Sequence, residues 1–127
     1  MKKLRFYRCQ HCGNIVIKVV DSRVPVMCCG EIMKELVANT TDAAQEKHVP
    51  VIDIKNGVVD VKIGSIPHPM IAEHYINFIA LETETGHQIK MLQPNESPEA
   101  KFYVGDERVV AVYEYCNLHG LWAVENI

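Results

Sequence analysis

"VPVIDIKNGVVDVKIG", residues 49–64, is the stretch whose reading decides the fold. Asn56-Gly57 supplies the two positive φ angles of a type I′ turn, and period-two runs flank it on both sides, so the stretch reads as a β-hairpin. In its second arm Val59, Val61 and Ile63 share one face, while Val58, Asp60 and Lys62 share the other. That alternation marks a strand with one side against a core.

Reading toward the C-terminus, the β signals continue. "HYINFIALETETGHQIKML" (74–92) is a second hairpin, turning near Thr85-Gly86. "AKFYVG" (100–105), "RVVAVYEY" (108–115) and "LWAVENI" (121–127) follow. Six or seven short strands with turns between them, and no convincing helical period, predict an all-β antiparallel sandwich or barrel over residues 49–127. Reading toward the N-terminus, residues 37–48, "VANTTDAAQEKH", break the apolar pattern and read as a linker. Residues 1–36 form a cysteine-rich unit with two short β-like runs, "NIVIKVV" and "VPVM". A unit below about 40 residues cannot bury enough surface alone and usually needs a metal, disulfides or a partner.

The 127 residues suit one domain with a small appendage. A net charge of −3, with Lys and Arg scattered apart from the opening "MKKLR", argues against nucleic-acid binding. That basic start lacks the apolar region of a signal peptide, and no stretch reaches the roughly 18–20 apolar residues of a membrane span. The expectation is a soluble cytoplasmic protein. In a reducing compartment, clustered cysteines act as metal ligands or redox groups more often than as disulfides.

Four of the five cysteines follow the pattern C-x2-C, fifteen residues, then C-C: Cys9, Cys12, Cys28 and Cys29. Four thiolates suit a tetrahedral site for one Zn or Fe, and spacing leaves the metal open. A redox dithiol pair and disulfides are the rival readings. Neighbouring side chains on an extended segment point to opposite sides, so Cys28 and Cys29 reach one ion only if the backbone bends, and a distorted tetrahedron is expected. His11, inside the C-x2-C loop, reads as a surface residue.

The fifth cysteine lies in "YEYCNLHGLW", residues 113–122. Cys116 and His119 fit a turn that offers S and N to one centre. His68 and His74, six apart, would stand roughly 20 Å from each other on a straight strand. Pro67 and Pro69 predict a bent loop that lets the two imidazoles converge before a strand opening at His74. His87 sits at a hairpin tip and is left out. The alternatives are a Cys116 merely packed beside Trp122 and a Cys–His catalytic dyad.

Taken together, "YRCQHCGNIV" (7–16), "CCGEIMKELVANT" (28–40), "EKHVPV" (46–51), "GSIPHPMIAEHYI" (64–76) and "EYCNLHGLW" (114–122) resemble the desulfoferrodoxin form of superoxide reductase, the two-iron class. The resemblance covers essentially the whole chain. Two departures, "DSRVP" where a glycine-rich turn is usual and Ile32 where proline is common, avoid every ligand position. The resemblance implies a desulforedoxin-like domain at 1–36 holding iron through Cys9, Cys12, Cys28 and Cys29. The implied remainder is a linker, 37–48, carrying Glu46, Lys47 and His48, and an immunoglobulin-like domain at 49–127. The active iron would be held by His48, His68, His74 and His119 as equatorial ligands and Cys116 as the axial one. Glu46 matches the family's glutamate that occupies the sixth position of the ferric ion, and Lys47 its lysine beside the open site. The implied activity is reduction of superoxide to hydrogen peroxide, with electrons from an external donor such as rubredoxin, in a homodimer. The rival from another class is a non-catalytic iron or zinc protein that acts as an electron carrier or redox-responsive module through the four-cysteine unit.

Overall fold

A computed structural model describes residues 4–125 and 127 of the chain, so Met1–Lys3, the start of the basic "MKKLR", lie outside it. The described residues divide into two compact units, one ending at Val37 and the other beginning at Ala38.

The first unit has five very short strands: β1 (Phe6–Arg8), β2 (Ile15–Ile17), β3 (Met27–Cys28), β4 (Glu31–Ile32) and β5 (Lys34–Glu35). They form an antiparallel sheet of order β2-β1-β5 and a separate β3-β4 hairpin. Its buried side chains are few, Leu4, Phe6, Cys9 and Met33. So thin a core is what the cysteine-rich composition led one to expect.

The second unit opens with one helical turn, α1 (Gln45–His48), and continues through β6 (Pro50–Lys55), β7 (Val58–Ile63), β8 (Ile76–Thr83), β9 (His87–Met91), β10 (Glu99–Tyr103), β11 (Val109–Cys116) and β12 (Gly120–Glu125). Two antiparallel sheets result, β10-β7-β6 and β12-β11-β8-β9, the arrangement of an immunoglobulin-like sandwich. The β6–β7 hairpin turns at Asn56 and Gly57, with φ of 53° and 75°. Val59, Val61 and Ile63 of β7 are fully buried, and they pack with Ile79 and Leu81 of β8, Phe102 of β10 and Val112 of β11. Burial of each such side chain contributes about 1.5–3 kcal/mol, so this interior is the main source of stability.

Three details position the site. The strand β8 opens at Ile76, two residues later than the alternation suggested; His74 lies before it, in an isolated bridge with Ile71. A bulge then separates β8 from β11: Tyr115 pairs with Phe78 but Cys116 with Ile76, leaving Asn77 as the extra residue. Bulges re-aim the side chains beside them, and this one falls at the thiol. Finally, Asn39 mimics a strand against β12. Its N–H donates to the Leu121 carbonyl, its Nδ2 to the Ala123 carbonyl, and its Oδ1 accepts from the Ala123 N–H. Among the described residues no helix is long and apolar enough to cross a membrane.

Candidate metal centres

In the first unit the sulfurs of Cys9, Cys12, Cys28 and Cys29 all lie within 4.8 Å of one another. The Sγ atoms of Cys12 and Cys28 are 3.6 Å apart. Four sulfurs tetrahedrally disposed at ~2.3 Å from one ion would be separated by ~3.8 Å. The bend required at the adjacent pair is present: Cys29 has φ of 51° and Gly30 φ of 77°, both in the left-handed region. An α-left residue after Cys28 turns the second side chain back toward the first.

Backbone amides feed the sulfurs, Cys12 N–H donating to Cys9 Sγ at 3.4 Å and Asn14 N–H to Cys12 Sγ at 3.5 Å. The Cys12 amide is the main reason the Cys9 thiol is lowered to about 6, whereas Cys29 is pushed up to about 12 by its crowding against Cys9 and then Cys12 and Cys28. So many sulfurs cannot ionise together without a cation, and the donor set therefore fits a soft metal ion. His11 lies on the surface, its Nε2 3.0 Å from Glu31 Oε1.

The second site is assembled from three places. α1 brings His48, the "GSIPHPMIAEH" loop brings His68 and His74, and the β11–β12 turn brings Cys116 and His119. The ring centroids trace a near-square: His48–His68 4.6 Å, His68–His74 4.7 Å, His74–His119 5.0 Å and His119–His48 4.9 Å, with a His48–His74 diagonal of 6.5 Å. His48, His68, His74 and Cys116 offer ligand atoms that all lie within 4.8 Å of one another. His119 Nδ1 lies 3.1 Å from His48 Nε2 and 3.9 Å from Cys116 Sγ. Thus the structure brings together all five residues, while His87 stays exposed on β9.

The nitrogens that face inward identify what the square lacks. Nε2 of His68 and Nε2 of His74 are buried and have no hydrogen-bond partner within the protein. An orphaned buried acceptor costs about 1–3 kcal/mol, and a metal ion removes that cost at both atoms. Burial lowers His48 and His68 to about 4, and also lowers His74, so these rings are neutral and their lone pairs free at neutral pH. Burial raises the Cys116 thiol, and the backbone N–H groups of Leu118 and His119 pull it the other way.

Outer partners orient the ligands. His68 Nδ1 lies 2.7 Å from the Pro69 carbonyl, and His48 Nδ1 lies 3.2 Å from Glu114 Oε2. An N–H at each Nδ1 sets the tautomer that leaves Nε2 as the ligand. Trp122 stacks on the His48 ring at 4.9 Å and 11°, and its Nε1 donates to the His119 carbonyl. Glu114 is fully buried and raised to about 9 by that burial. Sequence reading did not single it out, yet it lies between Val112 and Cys116 on the period-two face. A carboxylate on a core-facing position was the available signal.

Glu46 and Lys47 are exposed on α1. The Glu46 carbonyl accepts from Ile66 N–H and Ser65 Oγ, tying α1 to the His68 loop. The Lys47 charge acts on His48, His68 and His74, lowering all three.

A family model described as desulfoferrodoxin matches residues 40–125. The chain belongs to the desulfoferrodoxin family. The desulfoferrodoxin of Desulfarculus baarsii is 43% identical over 125 residues, covering 98% of both chains. Among solved structures, the superoxide reductase from Treponema pallidum matches with a TM-score of 0.80 and 36% identity, over 98% of this chain and 100% of that one. The one-iron superoxide reductase from Giardia intestinalis matches with a TM-score of 0.55 and 33% identity, over 62% of this chain and 95% of that one. The two ligand groups correspond to the two-iron arrangement of the family.

Proposed function

We propose that this desulfoferrodoxin is a superoxide reductase, acting in the cytoplasm as a homodimer supplied by an external electron donor of the rubredoxin kind. One observation carries the reading. Four imidazoles and one buried thiol converge on a single point, and two of the inward nitrogens have no partner of their own.

His48, His68, His74, His119 and Cys116 would hold an iron ion, which would supply the one electron of each turnover. Imidazole ligands bring no charge to a bound ion, so a ferrous ion with the Cys116 thiolate would carry a formal +1. That charge favours a small anion over water. Cys116 would hold the ion as a thiolate, which donates electron density, as in Cys-ligated haem centres, and would favour electron loss. Superoxide takes one electron and two protons to become hydrogen peroxide. Lys47 contributes positive potential at the open side, and its ammonium Nζ–H groups organise the water that delivers the protons. Glu46, two residues before His48, would offer a carboxylate oxygen to the oxidised ion, which is harder and favours oxygen.

Cys9, Cys12, Cys28 and Cys29 hold the second iron in the unit at residues 1–36, with 37–48 joining it to the sandwich. Metal analysis should find two irons per chain. The decisive measurement is pulse radiolysis of the reduced protein: superoxide should oxidise the histidine-site iron rapidly and yield peroxide. A ferrous centre that stays reduced, or oxygen released along with peroxide, would sink the reading.

A further inference from the structure

Asn117 separates the thiol from the imidazole in the Cys116–His119 turn, and its side chain points at the backbone of a third ligand. Its Oδ1 accepts from the Tyr75 N–H at 2.9 Å, its Nδ2 donates to the Glu73 carbonyl at 3.0 Å, and its own N–H donates to the Tyr75 carbonyl at 3.2 Å. Glu73 and Tyr75 are the two residues on either side of His74. His74 is itself pinned by reciprocal backbone bonds with Ile71, each 3.0 Å.

We infer that Asn117 is a positioning residue: it locks the peptide that carries His74 to the turn that carries Cys116 and His119. The reason lies in the strand pairing. The β8–β11 ladder ends at the Cys116–Ile76 pair, because β11 turns over into β12 directly afterwards. Beyond that pair, the β11–β12 turn offers residues 73–75 one backbone bond, from Asn117 N–H to the Tyr75 carbonyl. The carboxamide adds the bonds to the Tyr75 N–H and the Glu73 carbonyl, since it carries a donor and an acceptor on one planar group, as a peptide does. The two carboxamide bonds and the Asn117 N–H bond span 42–44 residues of chain and fix the His74–His119 edge of the square. A polar turn residue with no such role would leave its amide in water, and Asp, Ser or Gly would serve equally well in the turn. Only a side chain with both an N–H donor and a carbonyl acceptor at this length meets both flanks of His74.

This inference rests on the metal-site reading, and the test separates the two. The iron-loaded full chain, Asn117→Ala and Asn117→Asp are compared by three readouts. These are the thiolate-to-iron absorption band, the midpoint potential of the histidine centre and retention of its ferrous iron against a chelator, with the four-cysteine bands as internal control. Asn117→Ala should weaken iron retention at the histidine centre by about 10–100-fold, the range for an outer-shell partner, and shift its band and potential while leaving the four-cysteine bands unchanged. Asn117→Asp keeps the acceptor for Tyr75 and loses the donor to Glu73, so its shift should fall between; if the alanine variant does not fold, the aspartate variant alone decides. In a His74→Ala background the Asn117 substitution should add nothing. An unshifted band, potential and iron retention, with or without a lower melting temperature, would overturn the assignment. So would a full additional loss in the His74→Ala background. A wild-type chain without the thiolate-to-iron band would overturn the metal-site reading itself.

Discussion

His48 Nε2 lies 3.1 Å from His119 Nδ1, although the first comes from α1 and the second from the β11–β12 turn. On an ion with metal–nitrogen bonds of ~2.1 Å, neighbouring ligands stand ~3.0 Å apart. The two rings are therefore already at ligand spacing, and Trp122 holds both, by stacking on one and bonding the backbone of the other.

Cys116→Ser follows directly from that geometry. The substitution keeps the size and removes the sulfur that lies 3.9 Å from His119 Nδ1. Absorption spectroscopy should lose the sulfur-to-iron band while the four-cysteine bands remain. Superoxide reduction should fall by more than about 100-fold, given that outer partners alone are worth about 10–100-fold. Retention of both band and activity would refute the thiolate's role.

Lys47→Ala tests the electrostatic part. The lysine charge reaches three of the four imidazoles in a chain of net charge −3. Pulse radiolysis at low ionic strength should show an encounter about tenfold slower, with a flatter dependence on salt. Equal rates and equal salt slopes would remove Lys47 from the approach path.

Acid should destabilise the metal-free protein. Unfolded imidazoles take a proton near 6.5, whereas His48 and His68 resist until about 4. Over that window the unfolded chain binds more protons, so stability falls as pH drops from about 6.5 toward 4. Glu114 acts with opposite sign: raised to about 9, it keeps its proton in the folded state above 4.5, and stability falls as pH rises toward 9. Melting curves of chelator-treated protein should therefore peak near neutral pH, and Glu114→Gln should steepen the acid side while flattening the alkaline side. A melting temperature that does not move between pH 7 and pH 5 in the Gln variant would contradict the buried, neutral imidazoles.

Gly64→Ala should damage both stability and the site. Gly64 has φ of 84°, and a Cβ there would clash with the Ile66 carbonyl oxygen and meet the Glu46 carbonyl oxygen at 2.7 Å and the Lys47 carbonyl carbon at 2.8 Å. A non-glycine residue in the left-handed region costs about 1–3 kcal/mol before any clash is counted. Relief must come from movement of the Ile66 backbone, two residues before His68, and of α1, which carries Lys47 and His48. Thermal unfolding should shift down and the histidine-centre absorption should change together. A lower melting temperature with unchanged absorption would show that α1 does not yield.

The sequence by itself determined the strands and the donor chemistry. Period-two burial at Val59, Val61 and Ile63, the Asn56-Gly57 turn and the C-x2-C spacing are local properties, each set by a few neighbouring residues. The prolines around His68 likewise announced a bend, because proline restricts its own φ and the residue before it. Convergence was a different matter. His48 and Cys116 meet only because two sheets pack and β12 returns beside β11, and no local rule encodes a distance between elements. Glu114 shows the limit from the other side: its alternation with Val112 and Cys116 was visible, but its partner, His48, belongs to a helical turn that period-two reading takes for linker. At His48 the tertiary structure alone decided which nitrogen faces inward, since the Glu114 carboxyl reaches Nδ1 from β11, whereas at His68 the neighbouring Pro69 carbonyl does so locally. Ligand identity is a property of residue type. Ligand geometry is a property of packing.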